Sequence, residues 1–171
     1  KPGWKWAHGT DVLVLTGSTD HRSYLQDLSA NLKAEPHSSL VFWWALGPFP
    51  PAGLALEAER NNLHPVESDH FGRHQLDAAY SICRFGVSAI EMMALGVPTV
   101  ILPGSQVSEY NELRAVRDQG LALVLESVEE LGQAVNSLTN DRALATGLSK
   151  RALAAFQGAG PNRWAPLVNR D

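Results

Sequence analysis

The sequence holds a single cysteine, Cys83, in 171 residues, so no disulfide within the chain is possible. A lone cysteine inside an apolar stretch is an ordinary core residue, and this usage fits a reducing compartment such as the cytoplasm. Charge is sparse too: 19% of residues are charged, and the formal net charge is -4. Lysines and arginines form no cluster. Neutralising nucleic-acid phosphates needs a basic surface, so nucleic acid is not an expected partner. No apolar run reaches the roughly 18–20 residues that cross a bilayer, and no secretory signal pattern is visible. Internal repeats and low-complexity tracts are missing as well.

What is present suits one globular domain. Hydrophobic residues make up 44% of the chain, enough to exclude disorder. The length allows a core that needs no covalent staples. Residues 1–10 read as the remnant of a linker, and 11–171 read as one domain.

Apolar runs of strand length alternate with amphipathic stretches. Strands are predicted over 11–16, 39–45, 80–84, 98–103 and 121–125, with a polar edge strand over 65–69. Tyr24, Leu25, Leu28 and Leu32 recur at helical spacing, as do Val128, Leu131, Ala134, Val135 and Leu138. Further helices are predicted over 53–62, 88–95, 106–118, 141–156 and 162–168. Gly96 and Gly120 stop two of them. Repeated β-α alternation with short connections predicts an α/β fold: a Rossmann-like parallel sheet of about six strands, covered by helices on both faces. Strands apolar on both sides agree with such burial. Trp43 and Trp44, as neighbours on a strand, should face opposite sides of the sheet and serve the core.

In open sheets of this class, ligands bind beyond the carboxyl ends of the strands. Two such ends carry glycine followed by small polar residues. One is Gly17-Ser18-Thr19-Asp20; the other is Gly86-Val87-Ser88. Glycine lets backbone approach a ligand closely, and the helix that follows offers unpaired N–H groups and partial positive charge, which suits phosphate. The same turns also serve as plain strand-to-helix connections. Ser88-Ala-Ile-Glu91 matches the capping-box pattern, in which Glu91 reaches back to the cap residue's amide, and spacing alone favours that structural role. Ser127-Val-Glu-Glu130 repeats the pattern with no functional neighbours. The competing role for Glu91 is to accept hydroxyls of a sugar. His70 and His74, with Asp69 and His64 nearby, have a spacing that metals use, but no motif supplies a third ligand and no metal or other cofactor is expected. No Ser–His–Asp arrangement is legible, and no catalytic residue is assigned.

The segment 82–103, ICRFGVSAIEMMALGVPTVILP, resembles the signature of the sugar-donor domain of the glycosyltransferase-B fold. It is similar to the lipid II N-acetylglucosaminyltransferase family, with its Cys-Arg-small-Gly turn, Glu-bearing helix, Gly-x-Pro and strand ending in Pro. The spacing from Gly86 to Glu91 is closer to the UDP-sugar hydrolases of the pseudaminic-acid pathway and to spore-coat polysaccharide proteins. Gly17-Ser18-Thr19-Asp20 and Gly158-Ala-Gly-Pro-Asn-Arg163 resemble further segments of those proteins. The resemblance covers roughly 11–168.

That resemblance implies binding of a nucleotide diphosphate-sugar, with uridine as the base. Gly17, Ser18 and the amides of Gly86, Val87 and Ser88 would face the diphosphate, and Glu91 would hold the ribose. Phe71 would lie beside the base, with the backbone of Gly72 at its edge; core packing is the other role open to Phe71. Tyr110 stands where relatives carry a sugar-contacting Gln, with Asn111 next, so the sugar subsite departs from the pattern. Glu109 beside a diphosphate would be unfavourable unless it points away. The resemblance places the acceptor site and the usual catalytic base in an N-terminal domain. It would be supplied in cis or by a partner subunit that can bring the pair to a membrane surface. The chain would then be the donor half of a glycosyltransferase or a UDP-sugar hydrolase. The alternatives are a non-catalytic donor-binding subunit and a degenerate interaction domain.

Overall fold

The computed structural model describes residues 10–17, 21–33, 40–46, 50–66, 78–103 and 109–156. In chain order these form β1 (Asp11–Leu15), α1 (His21–Lys33), β2 (Val41–Ala45), α2 (Leu54–Arg60) and β3 (Leu63–Val66). There follow β4 (Tyr80–Cys83), α3 (Val87–Ala94), β5 (Thr99–Ile101), α4 (Tyr110–Asp118) and β6 (Leu123–Val124). A 3-10 turn over Val128–Glu130 leads into α5 (Leu131–Asn140) and α6 (Arg142–Phe156). The linker reading of 1–10 falls almost wholly outside the described residues, as do the expected helix over 162–168 and the Gly158–Arg163 segment. The edge strand expected over 65–69 begins earlier, at Leu63.

The strands form one six-stranded sheet in the order β3-β2-β1-β4-β5-β6. Every neighbouring pair is parallel. The chain therefore builds outward from β1 to β3, returns to lay β4 against the other side of β1, and builds outward again to β6. Pro65 sits in β3, an edge strand, where a missing N–H costs no ladder bond on the open side.

Strand parity explains the two cores. Val12, Val14, Trp44, Ile82 and Val100 point to one face, where Leu25 and Leu28 of α1, Leu54 of α2 and Leu131 and Leu138 of α5 cover them. Leu13, Leu15, Cys83 and Ile101 point to the other, under Ala89, Met92 and Met93 of α3, Val116 of α4 and Ala152 of α6. Strands sandwiched between helical layers must be apolar at every position, which is why β1 reads as a continuous hydrophobic run. Trp43 and Trp44 divide between the faces as their alternation requires, with Trp44 fully buried. Cys83 is buried, and desolvation pushes its thiol up to about 12, so it is unreactive core.

One buried polar contact ties the second strand to the functional edge of the first. The Trp44 indole Nε1–H donates to Thr16 Oγ1 at 3.0 Å, and Thr16 is fully buried immediately before Gly17. Thr16→Val keeps the side-chain shape and removes this acceptor. It should lower unfolding stability by about 1–2 kcal/mol, measured by urea denaturation.

Candidate functional site

Strand order locates the site. The sheet changes its direction of growth between β1 and β4, and such a switch point opens a crevice at the carboxyl ends of the two strands. Leu15 pairs with Cys83 as the strands finish, and the Arg84 amide donates to the Leu15 carbonyl at 2.9 Å. The two glycine-bearing turns predicted to receive phosphate thus leave adjacent strands on either side of the switch. Nothing in the linear sequence says that β4, the fourth strand, lies beside the first.

Both glycines need to be glycine. Gly17 has φ of 83° and Gly86 has φ of 153° with ψ of -166°, a region closed to side-chain-bearing residues. A Cβ built on either meets no atom of the described residues within 4 Å, so their packing does not demand a small residue there. What demands it is the backbone path, and open space remains above each turn.

Gly86 is the N-cap of α3, and no side chain caps the helix. The first intrahelical bond runs from the Ile90 amide to the Gly86 carbonyl at 3.1 Å. The amides of Val87, Ser88 and Ala89 therefore have no intrahelical acceptor, and they lie at the positive end of the helix dipole.

The capping role expected of Glu91 does not occur. With Gly86 at the cap, Ser88 is already the second helical residue and Glu91 the fifth, too far along to return to the cap amide. The carboxylate is exposed. It shares a helix face with Val87, four residues earlier and 72% exposed, while Ala89, Met92 and Met93 occupy the buried face. At 1.5 Å rise per residue, Glu91 lies about 6 Å along the axis from the first helical residue. The matching motif at 127–130 behaves differently: Ser127 is the N-cap of the 3-10 turn, and the Glu130 carboxylate accepts from the Glu126 amide at 3.0 Å.

Tyr110 and Asn111 open α4, beyond the end of β5 and one strand removed from the switch point. Both are exposed, Tyr110 by 71%. Tyr110 lines a cavity of about 260 Å³ with Pro103, Leu113, Arg114, Leu125 and Glu126, toward the β6 edge. Arg117, also on its wall, is paired with Glu126 and donates to the Val124 carbonyl. Ahead of Tyr110, Glu109 has one carboxylate oxygen, Oε2, buried and accepting no hydrogen bond among the described residues. The sequence singled out Glu109 only as an awkward charge. Its buried oxygen became visible when the chain placed it at the start of α4.

Gly17 and the Gly86-Val87-Ser88 turn thus follow adjacent strands at the switch point, Glu91 lies exposed farther along α3, and Tyr110 and Asn111 open α4 beyond β5. Ser18, Phe71 and Gly72 lie outside the described residues, as do His70 and His74. Among the described residues no group of three or more His, Cys, Asp or Glu side chains converges in a way that could hold a metal. No helix among them is long and apolar enough to cross a membrane.

No protein-family model matches this sequence, and no curated protein does. Solved structures do match it. The likeness is one of fold. The crystal structure of WaaG, a glycosyltransferase involved in lipopolysaccharide biosynthesis, superposes with a TM-score of 0.70 at 15% identity, covering 96% of this chain and 48% of that one. The spinosyn rhamnosyltransferase SpnG complexed with thymidine diphosphate gives 0.68 at 16% identity, over 96% and 46%. UGT71G1 of Medicago truncatula complexed with UDP-glucose gives 0.62 at 18% identity, over 90% and 37%. The chain spans less than half the length of these structures. Its Rossmann-like sheet has the architecture of one half of a glycosyltransferase-B fold.

Proposed function

We propose that this chain is the nucleotide-sugar-binding half of a glycosyltransferase-B-type protein, with a UDP-sugar as its ligand. The observation that carries the reading is the switch-point crevice. Two glycine turns of positive φ flank it, and one of them begins a helix whose N-terminal amides have no cap. Such amides are suited to a diphosphate, because they present preorganised donors and need no mobile cation to do so. Glu91, which caps nothing, is the group for the two ribose hydroxyls. Gly17 and Ser18 serve the phosphates from the other side, and Phe71 and Gly72 the base. Structural neighbours crystallised with thymidine diphosphate and with UDP-glucose support a nucleotide ligand.

The sugar subsite is assigned to Tyr110 and Asn111, with Glu109 beside them. A buried carboxylate oxygen that accepts no hydrogen bond calls for a donor, and sugar hydroxyls are donors of the right kind. If the protein is a transferase or a hydrolase, the reaction is displacement at the anomeric carbon with the nucleoside diphosphate departing. The loop amides then stabilise the leaving group's charge. Acceptor site and base would come from an N-terminal domain, in cis or on a partner subunit. A donor-binding subunit or a degenerate interaction domain would keep the fold without turnover.

Calorimetric titration with UDP, with GDP and TDP as controls, tests the proposal. Saturable binding of UDP in preference to GDP is the expected result. No binding of any nucleotide at millimolar concentration would leave the fold without this ligand and end the reading. UDP release from UDP-sugars by the isolated chain distinguishes a hydrolase from a binding half.

A further inference from the structure

Gly17 is exposed, yet the residue before it is fully buried. Thr16 also stands past the end of both ladders. β1 ends at Leu15, its last register pair with β2 is Val14 with Trp44, and its last with β4 is Leu15 with Cys83. Strand parity sends the Thr16 side chain toward the face of Val12 and Val14, where α1 lies. Trp44 belongs to that same face and is fully buried. From its place opposite Val14, the long Trp44 side chain reaches two residues ahead, and its Nε1–H donates to Thr16 Oγ1 at 3.0 Å. The bond crosses from β2 to the point at which the chain leaves β1.

Glycine does not fix its own path. The φ of 83° at Gly17 is one of several conformations open to it, so the direction of the turn depends on how the preceding residue is held. Apolar packing would bury position 16 equally well. Replacing both partners of a buried hydrogen bond by apolar groups of the same shape is nearly neutral for stability. What the bond adds is direction, because it fixes a distance and an angle that packing leaves loose. We infer that Thr16 is a positioning residue for the ligand's diphosphate. Held by Trp44, it sets the backbone from which the Gly17 turn departs, and being buried it acts through that turn. The inference rests on the nucleotide reading above. It adds to that reading a pair in the core beneath α1 that governs the phosphate side of the crevice and not the nucleoside side.

Two substitutions at one position separate direction from packing. Thr16→Val keeps the shape and removes the acceptor. Thr16→Ser keeps the acceptor and removes a buried methyl group, so both lower stability by similar amounts. UDP and uridine are titrated by NMR into the full chain and into each variant, under conditions where circular dichroism shows it folded. Thr16→Val should weaken UDP roughly fivefold, the worth of one neutral hydrogen bond, and leave uridine unchanged. Thr16→Ser should recover UDP binding in spite of its lost packing. If Thr16→Val does not fold, the indole N–H signal of Trp44 in the unaltered chain decides: UDP should shift it and uridine should not. UDP affinity unaltered in Thr16→Val, or an indole signal that UDP leaves in place, overturns the inference and leaves the nucleotide reading standing. Equal weakening by both variants, or of both ligands, overturns it too, by showing that only core stability is being read. Failure of the unaltered chain to bind UDP removes the nucleotide reading, and this inference with it.

Discussion

Glu91→Ala should weaken UDP binding by roughly ten- to hundredfold while leaving the unfolding midpoint almost where it was. The magnitude follows from losing hydrogen bonds to a charged acceptor, each worth about 1.5–3 kcal/mol. The constancy of the midpoint follows from the structure. Glu91 is the fifth residue of α3, is exposed and makes no capping bond. Replacement of such a surface residue by Ala, a strong helix former, changes stability by no more than about 0.5 kcal/mol. Calorimetry with UDP and thermal unfolding of the same preparations check both halves. A falling midpoint would show that the carboxylate does support the helix, and unaltered UDP affinity would remove it from the ribose.

Gly86→Ala should cost stability as well as binding. Among the described residues, a methyl group at this position meets nothing within 4 Å, so their crowding does not explain a loss. The backbone angles, φ 153° and ψ -166°, are the whole problem. An alanine held there carries strain of about 1–3 kcal/mol. For a chain of this size, each kcal/mol lowers the melting temperature by roughly 2–4 °C. Relaxing the strain would turn the peptide and swing the Val87 and Ser88 amides away from the crevice. Nucleotide affinity should therefore fall even where the domain remains folded, and a melt paired with a UDP titration reads both. An alanine variant that binds UDP as tightly as glycine would mean that these amides do not hold the phosphates.

The contrast between Ser88-Ala-Ile-Glu91 and Ser127-Val-Glu-Glu130 shows where linear reading runs out. The two stretches carry the same capping spacing. In the second, Ser127 does stand at the cap and the glutamate four residues from Glu126 turns back to its amide. In the first, the cap of α3 falls two residues early, at Gly86 instead of Ser88, because the glycine can take a path that leaves β4 and enters the helix with no cap side chain. A motif scored on residue types cannot see that shift in phase. Glu91 is therefore open to a ligand for a reason that only the start of the helix reveals.

Most elements of the described residues, the parallel class of the sheet and the faces of its strands were legible in the sequence. Each of these is a local matter: apolar alternation, helical spacing, and glycine at the turns report on a few neighbouring residues at a time. Trp43 and Trp44 could be sent to opposite cores from their adjacency alone. Tertiary structure decided the strand order β3-β2-β1-β4-β5-β6, and through it which turns meet. Pairing of β1 with β4 brings Gly17 beside the turn of Gly86 and sets Arg84 against Tyr24, residues far apart in the chain. The crevice is a property of that pairing. Side-by-side packing of strands depends on long-range burial and leaves no periodic trace in the sequence.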